Sequence, residues 1–187
     1  MLTQTNAASA KVSIRQMKAE DILVVARLEQ ECFAEPWSEN AIAESLADAN
    51  YVFFVATVAV NESTDVLSKP TSLALCDKAK ESKTKLDSCE TVAGYVGAYL
   101  AADELSITNV AVFDSYRRCG AADGLMKALD AFAEEKNLYG ITLEVRVSNS
   151  AAISLYEKNG YEKSGIRKGF YSKPKEDALI MWKYFQQ

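Results

Sequence analysis

Residues 143–161 of the chain read LEVRVSNSAAISLYEKNGY, a pattern that predicts an apolar strand followed by a short helix. Strand alternation places Glu144 on the face opposite its two apolar neighbours. We expect Asn149 to cap the start of the helix and Gly160 to end it, with Tyr156 on the inward face. A carboxylate and a phenol that are brought together in this way can act as general base and general acid.

The chain contains no histidine, so any proton transfer has to use another side chain or water. The absence of histidine also removes the Ser-His-Asp and Cys-His arrangements of nucleophilic catalysis. The four cysteines, Cys32, Cys76, Cys89 and Cys119, include no Cys-x-x-Cys pair. We therefore expect reduced structural thiols and no metal site.

Glu144 and Tyr156 also have ordinary structural interpretations. Glu144 could form an ion pair with Arg146 or with another basic residue. Tyr156 could simply belong to the core, because a buried tyrosine ring needs only one hydrogen bond. The spacing alone leaves the catalytic and the structural interpretation open for both residues.

The composition is that of an ordinary globular protein. A length of 187 residues predicts one compact domain, over residues 11–185, and a net charge of −5 argues against a general nucleic-acid-binding surface. No run approaches the roughly 18 apolar residues of a membrane span, and no signal peptide is visible at the start. We expect a cytoplasmic protein with neither a membrane nor a direct nucleic-acid partner. The sequence does not predict an oligomeric state.

The pattern of apolar residues predicts an α/β domain with a mixed sheet. Predicted strands cover residues 11–17, 51–60, 91–100, 104–112, 140–145, 161–169 and 178–184. Predicted helices run from residue 20 or 21 to 32 and cover residues 38–49, 120–136 and 150–159. The resulting order is βααβββαβαββ, in which helices flank a central sheet.

Residues 61–90 differ from the rest of the chain. They are rich in Ser, Thr, Lys and Asp, contain Pro70 and include few large apolar residues. This composition predicts a flexible polar insertion, most simply a long solvated hairpin loop. A partner-binding arm is the alternative, and the sequence leaves it open.

A second candidate site lies where a strand ends at Val112 and Arg117-Arg118-Cys119-Gly120-Ala121-Ala122 opens a helix. The first N–H groups of a helix have no intrahelical partner, and the helix dipole adds partial positive charge there. Small residues would let a pyrophosphate approach the backbone, and the arginines would add charge. The alternative is an ordinary helix start with solvated arginines.

Four segments together resemble the GNAT acetyltransferase superfamily: Asn109-Val-Ala-Val112, Arg-x-x-Gly-x-Ala from Arg117, Leu-Glu-Val-Arg-x-Ser-Asn from Leu143, and Leu-Tyr-Glu-x-x-Gly-Tyr from Leu155. More narrowly, Pro36-Trp-Ser-Glu39 and the segment from Arg167 to Ala178 are similar to the RimI family. Members of that family acetylate the N-terminal alanine of a small-subunit ribosomal protein. The resemblance covers residues 12–182, interrupted by the polar insertion.

The resemblance implies a GNAT fold, acetyl-CoA as cosubstrate and the N-terminal peptide of a ribosomal protein as partner. It assigns acetyl-CoA binding to Val110, Ala111, Val112, Arg117, Arg118, Cys119, Gly120, Ala121, Ala122, Asp123 and Asn149. It makes Glu144 the proton acceptor and Tyr156 the proton donor. We expect Trp37, Glu39 and Tyr171 either to line the acceptor groove or to serve ordinary packing and surface. Asp123 departs from the family pattern and would repel a phosphate unless it points into solvent.

The chemistry favours an α-amine as acceptor. An α-amino group titrates near ~7.7–8.0 and a lysine side chain near ~10.4, so a single glutamate is better matched to the former. We expect direct attack on the thioester, with a backbone N–H near Val112 stabilising the oxyanion. An acyl-enzyme at Cys119 is not expected, because no histidine can activate it. Another amine (a lysine side chain, a polyamine or a small molecule) and a non-catalytic CoA-binding or protein-binding role are the alternatives.

Overall fold

The computed structural model describes residues 11–59 and 90–185. The strands are β1 Val12–Gln16, β2 Tyr51–Ala59, β3 Glu90–Ala101, β4 Glu104–Val112, β5 Gly140–Arg146, β6 Glu162–Ser172 and β7 Lys175–Tyr184. The helices are α1 Ile22–Cys32, α2 Glu39–Ala47, α3 Ala121–Glu135 and α4 Ser150–Lys158. This order confirms the predicted βααβββαβαββ. The predicted polar insertion at 61–90 lies outside the described residues, except for Glu90, which belongs to β3.

All the strands form one sheet, in the order β1-β2-β3-β4-β5-β7-β6. Only β4 and β5 pair in parallel, and the other neighbours are antiparallel, so the sheet is mixed as predicted. The parallel pairing joins Glu104–Ile107 to Gly140–Leu143 and stops there. Beyond Ile107 and Leu143 the two strands no longer pair, and we call the region between their unpaired ends the cleft.

A β-bulge accompanies this separation. Gly97 pairs with Asn109 and Ala98 pairs with Ile107, so Thr108 is an extra residue on β4. A bulge bends its strand and increases the local twist. The second half of β4 therefore stays paired with β3 while it turns away from β5.

Helices lie on both faces of the sheet and bury one apolar side each. On one face, Leu125, Met126 and Leu129 of α3 are buried, together with Tyr156 of α4. On the other face, α1 and α2 bury the side chains Val25, Ala26, Leu28 and Ile42. Each fully buried side chain of this size contributes about 1.5–3 kcal/mol of transfer free energy. In the described part of the chain, none of the helices has the length and apolar character needed to cross a membrane.

Local signals in the sequence set the helix ends. Ser38 and Asn149 cap α2 and α4 as predicted, because their side-chain oxygens accept hydrogen bonds from Ala41 N and Ala152 N, both at 3.2 Å. Gly160, with φ +86°, ends α4 in the left-handed conformation that favours glycine. These caps place Tyr156 and Asn149 on one short, well-defined helix.

Candidate active site

The cleft between β4 and β5 brings two predicted segments face to face. Val110–Val112 on β4 and Glu144–Arg146 on β5 both lie beyond the paired part of the two strands. In this region β4 pairs with β3 and β5 pairs with β7. The backbone N–H and C=O groups on the edges that face the cleft therefore form no hydrogen bonds between β4 and β5. Such groups are available to a ligand that carries its own amides.

Glu144 lies on the wall of this cleft. The adjacent Leu143 and Val145 are buried, and the Glu144 side chain is 22% exposed, so strand alternation places it as predicted. Its Oε1 lies 2.9 Å from Nη1 of Arg167, a half-exposed residue of β6. The sequence allowed an ion pair of Glu144 with Arg146 or with another basic residue, and the partner in the structure is Arg167. An ion pair at the cleft wall is compatible with both interpretations of Glu144.

Arg146 instead fixes the turn between β6 and β7. Its guanidinium donates to the carbonyl oxygens of Lys173 and Pro174 at 2.8 and 3.0 Å, and to Oε2 of Glu176 at 3.0 Å. It also lies 4.0 Å from the centroid of the Tyr171 ring, which is cation–π geometry. Sequence reasoning missed this role, because the partners lie about 30 positions away and meet Arg146 only through strand pairing.

Tyr171 contacts the backbone of Glu144, whereas Tyr156 packs in the core. The Tyr171 hydroxyl donates to the backbone carbonyl of Glu144 at 3.2 Å. Tyr156 is buried beside Tyr161, with ring centroids 5.9 Å apart. Burial raises the pKa of Tyr156, and the nearby Tyr171 phenol adds to the rise. The Tyr156 phenol therefore stays protonated throughout the neutral range and can serve as a proton donor.

The predicted anion-binding turn has the geometry of an open backbone cradle. Arg118 and Gly120 both adopt positive φ, at +64° and +88°, and α3 begins directly after Gly120. Its first helical hydrogen bond runs from Gly124 N to Gly120 O, so the three preceding N–H groups have no helical partner. A side chain added at Gly120 would meet no atom within 4 Å, which shows that the space above the turn is open.

The side chains around this turn differ in their engagement. Arg117 pairs with Asp114 at 2.6 Å, while both side chains remain well exposed. The exposed Cys119 thiol donates to the carbonyl oxygen of Tyr116. Arg118 forms no ion pair with any residue in the described ranges. The turn therefore presents a guanidinium beside the unpaired amides.

The sequence predicted that Asp123 would repel a phosphate unless its side chain pointed into solvent. In the structure the side chain is instead engaged by neighbouring residues. Its two oxygens contact the Nζ atoms of Lys127 at 2.8 Å and Lys158 at 2.9 Å, and Asn159 Nδ2 lies 3.3 Å from Oδ1. These contacts, Lys127 first, lower the pKa of Asp123 to about 2. Two ammonium groups compensate the charge of the carboxylate, so the repulsion that was expected between Asp123 and a phosphate is offset. The same contacts link the start of α3 to the end of α4.

We expect the Asp123→Asn variant to be less stable than the wild type at neutral pH, by a margin that shrinks as the pH is lowered. The folded pKa of about 2 lies below the ordinary 3.8, so the stabilisation is present above 3.8 and is lost as the pH falls towards 2. Urea unfolding of both proteins at pH 6 and at pH 3 measures the difference. A stability difference that stays constant over this range would contradict the assigned ion pairs.

The predicted acceptor residues are only partly brought together. Trp37 is half-buried, and its ring packs edge-on against Tyr51, with ring centroids 6.1 Å apart. The segment that contains Trp37 also contacts the turn between β6 and β7, because Glu35 Oε2 accepts a hydrogen bond from Ser172 Oγ at 2.9 Å. Trp37 and Tyr171 therefore belong to two segments that touch. Glu39 is exposed in the first turn of α2, where the helix dipole favours a carboxylate. This position fits the surface interpretation of Glu39.

The architecture and the cleft define the class of protein. Residues 22–161 match the acetyltransferase (GNAT) family, and the chain belongs to that family. It is therefore an N-acetyltransferase whose cosubstrate is acetyl-CoA. Among the residues described, no group of three or more Cys, Asp or Glu side chains is arranged to hold a metal ion.

Similar proteins that are named as bS18-alanine N-acetyltransferases narrow the family. The putative ribosomal protein bS18-alanine N-acetyltransferase of Bacillus subtilis (strain 168) is 31% identical over 172 residues, which cover 92% of this chain and 95% of that protein. The bS18-alanine N-acetyltransferase of Escherichia coli (strain K12) is 27% identical over 90% of this chain and 95% of that protein. The crystal structure of the Escherichia coli enzyme superposes with a TM-score of 0.70 at 25% identity, over 95% of this chain and 96% of that chain. These similarities confirm the predicted resemblance to the RimI family.

Proposed function

We propose that this N-acetyltransferase transfers the acetyl group of acetyl-CoA to the α-amino group of the N-terminal alanine of ribosomal protein bS18. The observation that carries the proposal is the similarity over nearly the whole chain to bS18-alanine N-acetyltransferases of two bacteria. The position of Glu144 directly beyond the paired part of β4 and β5, with the buried and protonated Tyr156 on α4, supports it. A ribosomal substrate implies that the enzyme acts in the cytoplasm.

We assign acetyl-CoA to the cleft and the turn beside it. The open backbone edge of Val110–Val112 would pair with the amides of the pantetheine arm. The unpaired N–H groups at the start of α3, with Arg118 beside them, would hold the pyrophosphate. The remaining residues of this assignment are Arg117, Cys119, Gly120, Ala121, Ala122, Asp123 and Asn149, as the family resemblance implies.

In the proposed reaction, the neutral α-amine attacks the thioester carbonyl carbon, so that a C–N bond forms and the C–S bond breaks. Glu144 accepts the proton that the amine loses, either directly or through water. An α-amine with a pKa near ~7.7–8.0 is partly neutral at pH 7, which limits the demand on this base. A backbone N–H near Val112 would stabilise the negative charge on the carbonyl oxygen.

Tyr156 would donate a proton to the departing sulfur. An ordinary phenol with a pKa near ~10 is already a weaker acid than a thiol near ~8.5. Burial raises the pKa of Tyr156 further, so protonation of a fully formed thiolate would be strongly uphill. Proton transfer therefore has to accompany the cleavage of the C–S bond. Solvent then returns the proton from Glu144 to Tyr156, and the enzyme is unchanged.

The test is an acetylation assay that separates the classes of amine. A peptide with the N-terminal sequence of bS18 is incubated with acetyl-CoA and analysed by mass spectrometry. The matched controls are the same peptide with a blocked N-terminus and an added internal lysine, and spermidine. We expect acetylation of the free α-amine alone. Turnover of the lysine peptide or of spermidine, with none at the α-amine, would replace the proposed acceptor.

A further inference from the structure

Glu29 is a buried carboxylate that the proposed mechanism does not use. It lies on α1 among the buried residues Val25, Ala26 and Leu28, and its own exposure is 0%. A carboxylate persists in such surroundings only when hydrogen bonds replace the water that it has lost. Its partners therefore indicate why this apolar helix face contains a glutamate.

Three donors surround Glu29, and they come from three different elements. Oε1 accepts hydrogen bonds from the Tyr95 hydroxyl on β3 and from Asn109 Nδ2 on β4, the latter at 2.9 Å. Oε2 accepts a hydrogen bond from the backbone N–H of Trp37 at 2.8 Å. Burial and the adjacent Glu29 raise the pKa of Tyr95, so its phenol keeps the proton that it donates.

These donors lie on the two sides of the proposed reaction. Asn109 directly precedes Val110 at the bulge where β4 leaves β5, and Tyr95 is the cross-strand partner of Ala111. Asn109 thus leads into the segment that we assign to acetyl-CoA, and Tyr95 lies on the neighbouring strand β3. Trp37 belongs to the segment between α1 and α2 that we assign to the acceptor. One carboxylate thus joins the cofactor strand to the acceptor segment.

We propose that Glu29 is a positioning residue that holds the Trp37 segment at a fixed distance from the cofactor strand. The inference rests on the proposed function, since it needs an acceptor that binds beside Trp37. Glu29 is fully buried and does not touch the substrate, so it acts through the backbone of Trp37. A shift of this segment would misplace the surface that binds the acceptor, and so weaken the binding of the acceptor peptide. Fixing this segment is therefore a means of controlling how the acceptor amine meets the thioester.

The Glu29→Met variant tests the role, because methionine keeps the length of the side chain and removes both acceptor oxygens. The Trp37 N–H loses its partner, and we expect the KM for the acceptor peptide to rise about tenfold. The KM for acetyl-CoA is expected to change less than about twofold, because β4 stays paired with β3. Hydrogen exchange of the Trp37 amide is expected to become faster in the same variant.

Glu29→Gln is the conservative variant that should restore function. Its amide oxygen can stay on the Trp37 N–H while its NH₂ group turns towards Tyr95 and a reoriented Asn109, since a hydroxyl and an amide can also accept. We therefore expect E29Q to keep an acceptor KM close to that of the wild type. A role as a charged group or as a base would instead make E29Q as defective as E29M.

Tyr95→Phe is the matched control for a loss of stability alone. It removes one hydrogen bond from the same carboxylate and leaves the bond to Trp37 in place. We expect Y95F to lower the melting temperature and to leave the acceptor KM unchanged. Should E29M fail to fold, Glu29→Asp keeps the charge but retracts it by one methylene, and the same rise in acceptor KM alone is expected.

Three results would overturn the inference. These are an unchanged acceptor KM in E29M, an equal rise of both KM values, and an equal effect of Y95F. The exchange rate of the Trp37 amide needs no acceptor, so it reports on Glu29 even if the wild type fails to acetylate the bS18 peptide. An inactive wild type with a Trp37 amide that Glu29 protects would refute the proposed acceptor and not the anchoring of the segment.

Discussion

Replacement of Glu144 by glutamine is expected to lower kcat/KM for an N-terminal alanine peptide about 10²-fold at pH 7, which is the lower range for loss of a general base. Glutamine keeps the shape of the side chain and cannot accept the amine proton. The neutral α-amine attacks in both enzymes, so the fraction of neutral amine affects them equally. The deficit is therefore expected to be about the same at pH 7 and at pH 9, on either side of the pKa of that amine near ~7.7–8.0.

The ion pair with Arg167 provides the control for this experiment. If Glu144 served only to pair with Arg167, then Arg167→Gln would cause the same loss of activity. The guanidinium is 54% exposed, so its removal is expected to cost little stability and to change kcat/KM by less than about threefold. Equal defects in E144Q and R167Q, or an E144Q enzyme as active as the wild type at pH 9, would contradict the assignment of Glu144 as the base.

Much of the scaffold around these residues could be predicted from local sequence. The caps at Ser38 and Asn149, the glycine at 160 and the alternation around Glu144 depend on residues that are close together in the chain. Local patterns of this kind fix where an element begins and which face it presents. Such patterns are sufficient to place Glu144 on β5 and Tyr156 on α4.

The polar contacts of the site could not be predicted in the same way. Arg167 meets Glu144 only because β6 and β7 continue the sheet beside β5, and Lys158 meets Asp123 only because α4 packs near α3. Lys127, four positions after Asp123, was the one partner that helix spacing offered. Glu29 carried a signal of its own, a charge within an apolar helix face, but the sequence did not reveal its three donors.

The side chains of the site form one connected arrangement rather than two isolated catalytic groups. Tyr171 bonds to the backbone of Glu144, stacks on Arg146 and influences Tyr156 electrostatically. Arg146 in turn holds the turn between β6 and β7. A change at Tyr156 has to be compared with a change that disturbs the same packing without the same chemistry, because the Tyr156 ring packs beside Tyr161.

Replacement of Tyr156 by phenylalanine is expected to lower kcat about 10²-fold and to leave both KM values nearly unchanged, because proton donation to sulfur is needed only as the C–S bond breaks. The raised pKa of Tyr156 means that the wild type should not lose activity between pH 8 and pH 10 through this phenol. Tyr161→Phe is the matched control, since Tyr161 is a buried neighbour whose hydroxyl has no hydrogen-bond partner in the described part of the chain. We expect Y161F to keep wild-type activity and stability, because it removes a buried polar group without breaking a bond. Steady-state kinetics of the two variants with the alanine peptide decides between a proton donor and a core residue. Equal losses of kcat in Y156F and Y161F would assign Tyr156 to the core.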